Sequence, residues 1–353
     1  MRPVHPHVAI ENASPIPEPG DLAVPPFVGG QRRVEERQPY GHGEQDHARP
    51  EERWGPPAAN LSHARLAAVA ATFAVALIVA MSLVGLSLTP DRFLLVLLFP
   101  AIVLGRPWRF LADFVPFAAL VILYAELRGL AHVSHPLPYV WPQLDAEKLL
   151  FGGHIPAVEV QHWLWGGVQH PVGPFERVVL LVTRIHSIVP MTVAFFLWVA
   201  RRSLFYRFAA TFLTLSFAAA ATFWLYPAAP PWAAGNFGII DVYKINGNVG
   251  VGSSAPTNGG TGIYNLIHGN PFAAVPSLHG GYSFLVALFL GVLAWRAGRR
   301  WLVPVLALYP LVQAFAVVYT GNHYVVDILA GYVYVLAAYF GVAWVWRRFN
   351  LPE

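Results

Sequence analysis

Two histidines and one aspartate frame the chemistry open to this chain. The stretch YTGNHYVVDILAGY (319–332) sets His323 four residues ahead of Asp327 in otherwise apolar surroundings. At that spacing on one helix face the Cβ atoms lie about 6 Å apart, and a carboxylate can accept a bond from an imidazole N–H. Such a bond fixes the tautomer and turns the other ring nitrogen outward as a base or nucleophile. A second stretch, AVPSLHGGYSF (274–284), offers Ser277, His279, Gly280 and Gly281 at the head of another apolar run. Pro276 suits a helix start, Ser277 can cap its exposed N–H groups, and a start lined by small residues accepts an anion. These parts make a phosphoryl-transfer set: one imidazole attacks phosphorus, the carboxylate orients it, and the second imidazole protonates the departing oxygen. Two histidines and a carboxylate can also bind zinc. No third histidine lies close in sequence, however, and the Ser/Gly start favours an anion over a metal. The plain alternative is a satisfied His–Asp pair filling a bundle, but ionisable groups inside a membrane are costly and usually functional.

The elements that must carry these residues are apolar. Of 353 residues, 56% are hydrophobic and 12% charged, against about a quarter charged in soluble domains. Residues 1–60 are the exception, rich in proline and acidic groups and poor in long apolar side chains. They read as a disordered tail with solvated histidines such as His5 and His42, and not as a cleaved signal peptide. The chain has no cysteine, which excludes disulfides, thiolate catalysis and Cys-based metal centres. The net charge of +4 comes from basic residues scattered in pairs between apolar runs. That pattern marks membrane topology and argues against a nucleic-acid partner.

From residue 61 to 348 the sequence predicts one all-α, polytopic transmembrane bundle of six to eight spans, with its core motifs in 178–346. Spans are expected at 66–88, 93–108, 110–130, 178–200, 206–226, 277–295, 301–320 and 324–346, the second interrupted by Pro100. Arg106, Arg109, Arg201, Arg202, Arg207, Arg296, Arg299, Arg300, Arg347 and Arg348 fall in one set of loops, and far fewer basic residues in the other. By the positive-inside rule both termini are cytoplasmic, and the polar stretches at 226–232, 276–281 and 319–327 converge on the opposite face. The segment 149–170, with Trp163 and Trp165, is expected to lie along the outer leaflet, its His154, His162 and His170 being interface residues. The Gly/Asn-rich 235–262 reads as an outer connector.

These motifs carry a resemblance. PSLH followed about forty residues later by His-x-x-x-Asp is similar to the type 2 phosphatidic acid phosphatase superfamily. Within it, YPAAPPW (226–232), PSLHGG (276–281) and YTGNHYVVDILAG (319–331) resemble inositol phosphorylceramide synthases and their bacterial inositolphosphotransferase-like relatives. The segment 106–131 resembles the region before the core in those bacterial relatives. The resemblance implies that His323 is the nucleophile that becomes a phosphohistidine, Asp327 its orienting group and His279 the acid. Ser277 and backbone amides near Gly280 would hold phosphate oxygens, with no cofactor or metal.

One departure bears on the substrate. Hydrolytic members carry a Ser-Arg pair before the catalytic histidine where this chain has Ala316 and Val317, and their Lys…Arg-Pro motif is missing. Other groups must neutralise the phosphate, or the substrate is a diester with less charge. Arg184 and His186 in TRIHSIVP (183–190) are candidate replacements, with Lys244 and Arg128 weaker ones. Snorkelling to the interface is the competing account of Arg184. The expected function is transfer of a phosphoryl-headgroup, phosphoinositol among the options, from a membrane phospholipid to a lipid or other alcohol acceptor at the outer face of a plasma membrane. Its rivals are a lipid phosphate phosphatase using water, and a proton-coupled transporter using His323 and Asp327 as a relay.

Overall fold

The computed structural model describes residues 63–84, 90–131, 137–167, 172–245 and 270–351, all within one compact unit. The tail over 1–60, His170 and most of the Gly/Asn-rich connector lie outside the described residues. Among those described, the fold is all helical, with twelve helices and no strand. In chain order they are α1 (His63–Val84), α2 (Pro90–Val103), α3 (Pro107–Leu130), α4 (Trp141–Leu150), α5 (Pro156–Leu164) and α6 (Pro174–Arg184). They continue with α7 (Ile188–Ala200), α8 (Arg202–Leu225), α9 (Pro231–Asn236), α10 (Leu278–Arg296), α11 (Leu302–Tyr319) and α12 (Val325–Arg348).

Five of these, α3, α8, α10, α11 and α12, are long and apolar enough to cross a bilayer. A sixth crossing arises if α6 and α7 count as one span, bent by 51°. The described residues therefore carry five or six of the six to eight expected spans. In α1 and α2 the described residues include the shorter apolar stretches Ala68–Leu77 and Phe93–Val103. The bend at 185–187 was not expected, since 178–200 reads as continuous. Pro190 accounts for it: it has no N–H to offer the carbonyl of His186, and its ring crowds that carbonyl.

At the end of the bundle away from the motifs, a buried ion pair locks three helices together. Asp113 of α3 accepts from Nε and Nη2 of Arg202 on α8 at 2.8 and 2.6 Å, and from the indole N–H of Trp198 on α7 at 2.7 Å. Tyr206 adds a short bond to the same carboxylate. Phe110, Phe114, Phe195 and Phe205 pack around it, with Phe114 and Phe205 stacked at 4.7 Å.

At the opposite end, where the motifs gather, the helix termini are stitched by connecting segments. Tyr139, Ala228 and Ala273 form parallel bridges, and Trp232 N–H donates to Gly321 O at 3.0 Å. Helices α4 and α5 cover this end with their polar faces turned inward. Gln143, Glu147 and Gln161 are buried, while Leu149 is 88% and Trp163 81% exposed. Exposed Leu149 and Trp163 suit helices that lie in a bilayer interface.

The ion pair yields a prediction. Asp113→Ala strands Arg202 and an indole donor; because Arg202 is a quarter exposed, the loss should fall near the low end of about 3–5 kcal/mol. Thermal unfolding of the purified protein in detergent measures it, and an unchanged midpoint would show the pair to be dispensable.

Candidate active site

The site begins with a turn. Helix α11 ends at Tyr319, and the chain folds back over its terminus, with the amides of Asn322 and His323 donating to Val317 O at 2.8 and 3.2 Å. The turn needs Gly321, whose φ is +71° and whose place offers no room: a Cβ there would stand 2.6 Å from Tyr243 O. Only then does α12 start, at Val325. His323 thus lies just outside the helix, and its pairing with Asp327 is not the helix-face contact that the spacing predicts. Tyr324 is the N-cap, and Asp327 reaches back so that Oδ2 accepts from Tyr324 N–H at 2.9 Å. The same Oδ2 is 3.5 Å from His323 Nδ1, a charge-pairing distance. The carboxylate lies beside the imidazole while holding the helix start in shape.

The start of α10 packs directly on this turn. Ser277 N–H donates to Asp327 O at 2.9 Å, and a Cβ on Gly331 would stand 2.4 Å from Ser277 O. A side chain there would force the two helices apart. With the helices so close, His279 Nδ1 lies 3.0 Å from His323 Nε2. Asp327, His323 and His279 therefore form one line from carboxylate to imidazole to imidazole. His323 is 4% exposed and Asp327 fully buried, so the line is largely screened from bulk water.

The bend between α6 and α7 brings in His186. Its Nδ1–H donates to Thr183 O at 2.7 Å, and its ring centroid lies 3.9 Å from that of His279. Of the other expected phosphate-binding residues, Ser277 is buried and its Oγ accepts from Gly280 N–H at 3.2 Å. That bond spends the Gly280 amide on the cap. Arg184, one helix end away from His186, is exposed. Lys244 is also exposed, with Nζ 4.5 Å from the centre of the Trp232 ring. Neither exposed cation shares the enclosed position of His323. Among the described residues no group of three or more His, Cys, Asp or Glu is arranged to hold a metal ion.

Sequence reading missed the residues that hold this turn from outside. Glu147 of α4 is fully buried and accepts from Val325 N–H and Val326 N–H, each at 3.0 Å, one carboxylate oxygen to each amide. These are the first two unsatisfied donors of α12, where a negative charge also meets the positive end of the helix dipole. Gln161 of α5 donates to Tyr319 O and Tyr243 O, both at 2.8 Å, and accepts from Tyr243 N–H at 3.0 Å. The available signal was an inversion of pattern: in WPQLDAEKLL the residues at spacings of four, Gln143 and Glu147, are polar and lie on the inner face.

Burial pushes the Glu147 carboxyl above its ordinary value of 4.5, and the amides of Val326 and Val325 pull it partly back. In Glu147→Gln one acceptor becomes a donor facing an amide, which should cost about 1.5–3 kcal/mol and slow turnover by displacing His323. The pH dependence has a definite sign. With its folded pKa raised, Glu147 contributes most to stability below its unfolded value and loses that contribution as pH rises through the folded one. The stability gap between wild type and Glu147→Gln should therefore narrow as pH rises from 4.5. Paired thermal melts across that range test it, and a gap that widens with pH contradicts the assignment.

Comparison with known proteins agrees with this geometry. A profile of the PAP2 superfamily matches residues 161–341, just over half of the chain and including every residue of the histidine line. A phosphoinositol dihydroceramide synthase from Bacteroides thetaiotaomicron is 33% identical over 241 residues, covering 64% of this chain and 75% of that protein. No solved structure matches the chain. On the strength of the profile and the relative, this chain belongs to the PAP2 superfamily and is a membrane enzyme of its phosphotransferase and phosphatase class.

Proposed function

We propose that this enzyme moves a phosphoryl-headgroup, phosphoinositol first among the candidates, from a phospholipid to an alcohol acceptor through a phosphohistidine on His323. The observation that carries the reading is the 3.0 Å contact between His279 Nδ1 and His323 Nε2, with Asp327 behind. The name of the relative supports the headgroup.

In the first step His323 Nε2 attacks phosphorus and the P–O bond to the leaving alcohol breaks. His279 gives its proton to that oxygen. In the second step the acceptor hydroxyl loses its proton to His279 as its oxygen attacks the phosphohistidine, and the P–N bond breaks. Asp327 holds the Nδ1 proton of His323 and stabilises the charge on the ring throughout. Nucleophile and phosphorus must start about 3–3.5 Å apart, so substrate enters by parting two imidazoles now in contact. Transfer to an alcohol in place of water requires a screened nucleophile, and the burial of His323 and Asp327 supports that choice. The proposed site end faces away from the cytoplasm, in keeping with the arginines gathered at the other end.

His323→Ala should abolish turnover in a protein that still inserts, and trapped wild-type enzyme should carry acid-labile, alkali-stable phosphate. His279→Ala should lose about 10²–10⁴-fold with an alkoxide leaving group and recover much of that with a nitrophenolate, which needs no acid. Products from labelled phosphatidylinositol, with and without ceramide-like or other lipid alcohols, separate transfer from hydrolysis. Full activity in His323→Ala ends the mechanism, and failure of every alcohol to divert product ends the transferase reading.

Topology is tested separately, and the absence of native cysteine makes it simple. A cysteine in place of exposed Asp145 should react with an impermeant thiol reagent on intact cells, and one in place of exposed Arg299 should not. The reverse pattern would put the site end in the cytoplasm.

A further inference from the structure

Resting on the phosphohistidine reading above, we infer that His186 is a positioning residue that keeps His279 aimed at the leaving oxygen once substrate has parted His279 from His323. The resting contact of the two imidazoles, 3.0 Å from His279 Nδ1 to His323 Nε2, cannot persist while a phosphorus atom stands between them. An acid released from its partner is free to change rotamer, and a misplacement of about 1 Å can cost 10²-fold in rate. His279 therefore needs a second contact that survives substrate entry.

The ring of His186 supplies it. Its centroid lies 3.9 Å from that of His279, with the planes tilted by 38°, so the contact is ring on ring. His323 meets His279 differently, edge to ring at 5.1 Å and 62°. One neighbour can therefore move away while the other stays. The His186 ring also lies nearly parallel to Tyr282, at 9° and 6.4 Å. Tyr282 stands three residues after His279 in α10, a spacing that shares a helix face. It is itself held, stacked on Phe212 at 4.5 Å and bonded through its hydroxyl to Ser216 Oγ at 2.8 Å. His186 thus lies along the first turn of α10, against side chains that do not depend on His323 for their places.

His186 is pinned from its own side as well. Thr183 O is among the last carbonyls of α6, which a helix end leaves without an intrahelical donor. The Nδ1–H of His186 takes that place at 2.7 Å, and Thr183 Oγ1 donates to Leu180 O at 2.8 Å. The break in the span at 185–187 thus serves the site, because it frees the carbonyl that fixes the imidazole. The bond also argues against the phosphate-binding role expected for His186 from sequence. In the neutral ring the single N–H is spent on Thr183 O, and no donor is left for a phosphate oxygen.

The test uses the full-length protein in detergent, with two phosphodiesters that differ in leaving group, alkoxide or nitrophenolate, and orthovanadate as a phosphate-shaped inhibitor. His186→Ala should lower kcat about tenfold to 10²-fold with the alkoxide and much less with the nitrophenolate, which needs no acid. KM and the inhibitory concentration of orthovanadate should stay near wild type. His186→Phe, which keeps a flat ring but loses the bond to Thr183, should fall between. In a His279→Ala background His186→Ala should add almost nothing, because it acts through the residue already removed. Equal losses with both leaving groups, or no loss, overturn the inference, and so does a further loss in the His279→Ala background. Weaker orthovanadate inhibition also overturns it, in favour of a direct phosphate contact. If His186→Ala does not fold, His186→Leu decides by the same criteria, since it fills the space without a flat face. If His279→Ala itself shows no dependence on the leaving group, the acid assigned in the parent reading falls and this inference with it.

Discussion

The close approach of two helix starts underlies everything else at the site. Ser277 N–H reaches Asp327 O, and Gly331 leaves space for Ser277 O, so the backbones of α10 and α12 touch where their reactive residues sit. In lipid, helices gain little by hiding apolar surface from one another, and close packing through small residues takes over that role. The glycines at 280, 281 and 331 belong to this crossing as much as to any anion site. With the crossing fixed, His279 and His323 have little choice but to meet.

Charge is then distributed with little waste. The first two amides of α12 belong to Glu147, and the cap of α10 belongs to Ser277. A phosphate arriving between the histidines therefore cannot use the start of α12 for its oxygens. It must rely on what remains around α10. The far end of the bundle follows the same rule, with Asp113 satisfied by Arg202, Trp198 and Tyr206 before it is buried.

The two short covering helices tie these parts together. Glu147 and Gln161 face inward to brace the turn at 320–324, and Leu149 and Trp163 face outward. Gln161 braces the end of α11 and Glu147 the start of α12, so His323 is held from both sides of its turn. A site that must keep water from an activated phosphorus gains from such a cover, provided it does not also block the lipid. Substrate entry by separation of His279 from His323 is compatible with this bracing, because Glu147 and Gln161 hold the backbone and leave the rings able to turn.

The sequence by itself determined the class of protein, since 56% hydrophobic residues in runs of about twenty permit little but a helical membrane bundle. It also singled out His323, Asp327 and His279, which stand as ionisable groups in apolar surroundings. Three things were decided only by tertiary structure. Pro190 could be read as a helix residue or a breaker, and packing made it a break that delivers His186. The i, i+4 spacing of His323 and Asp327 looked like a helix face, yet a glycine turn and a capping bond produced the pairing. Glu147 and Gln161 could be read as polar residues on short covering helices but not as braces of the turn, because the backbone atoms they hold lie on elements distant in sequence. A one-dimensional pattern records which face of a helix is apolar, but not which helix end stands opposite it.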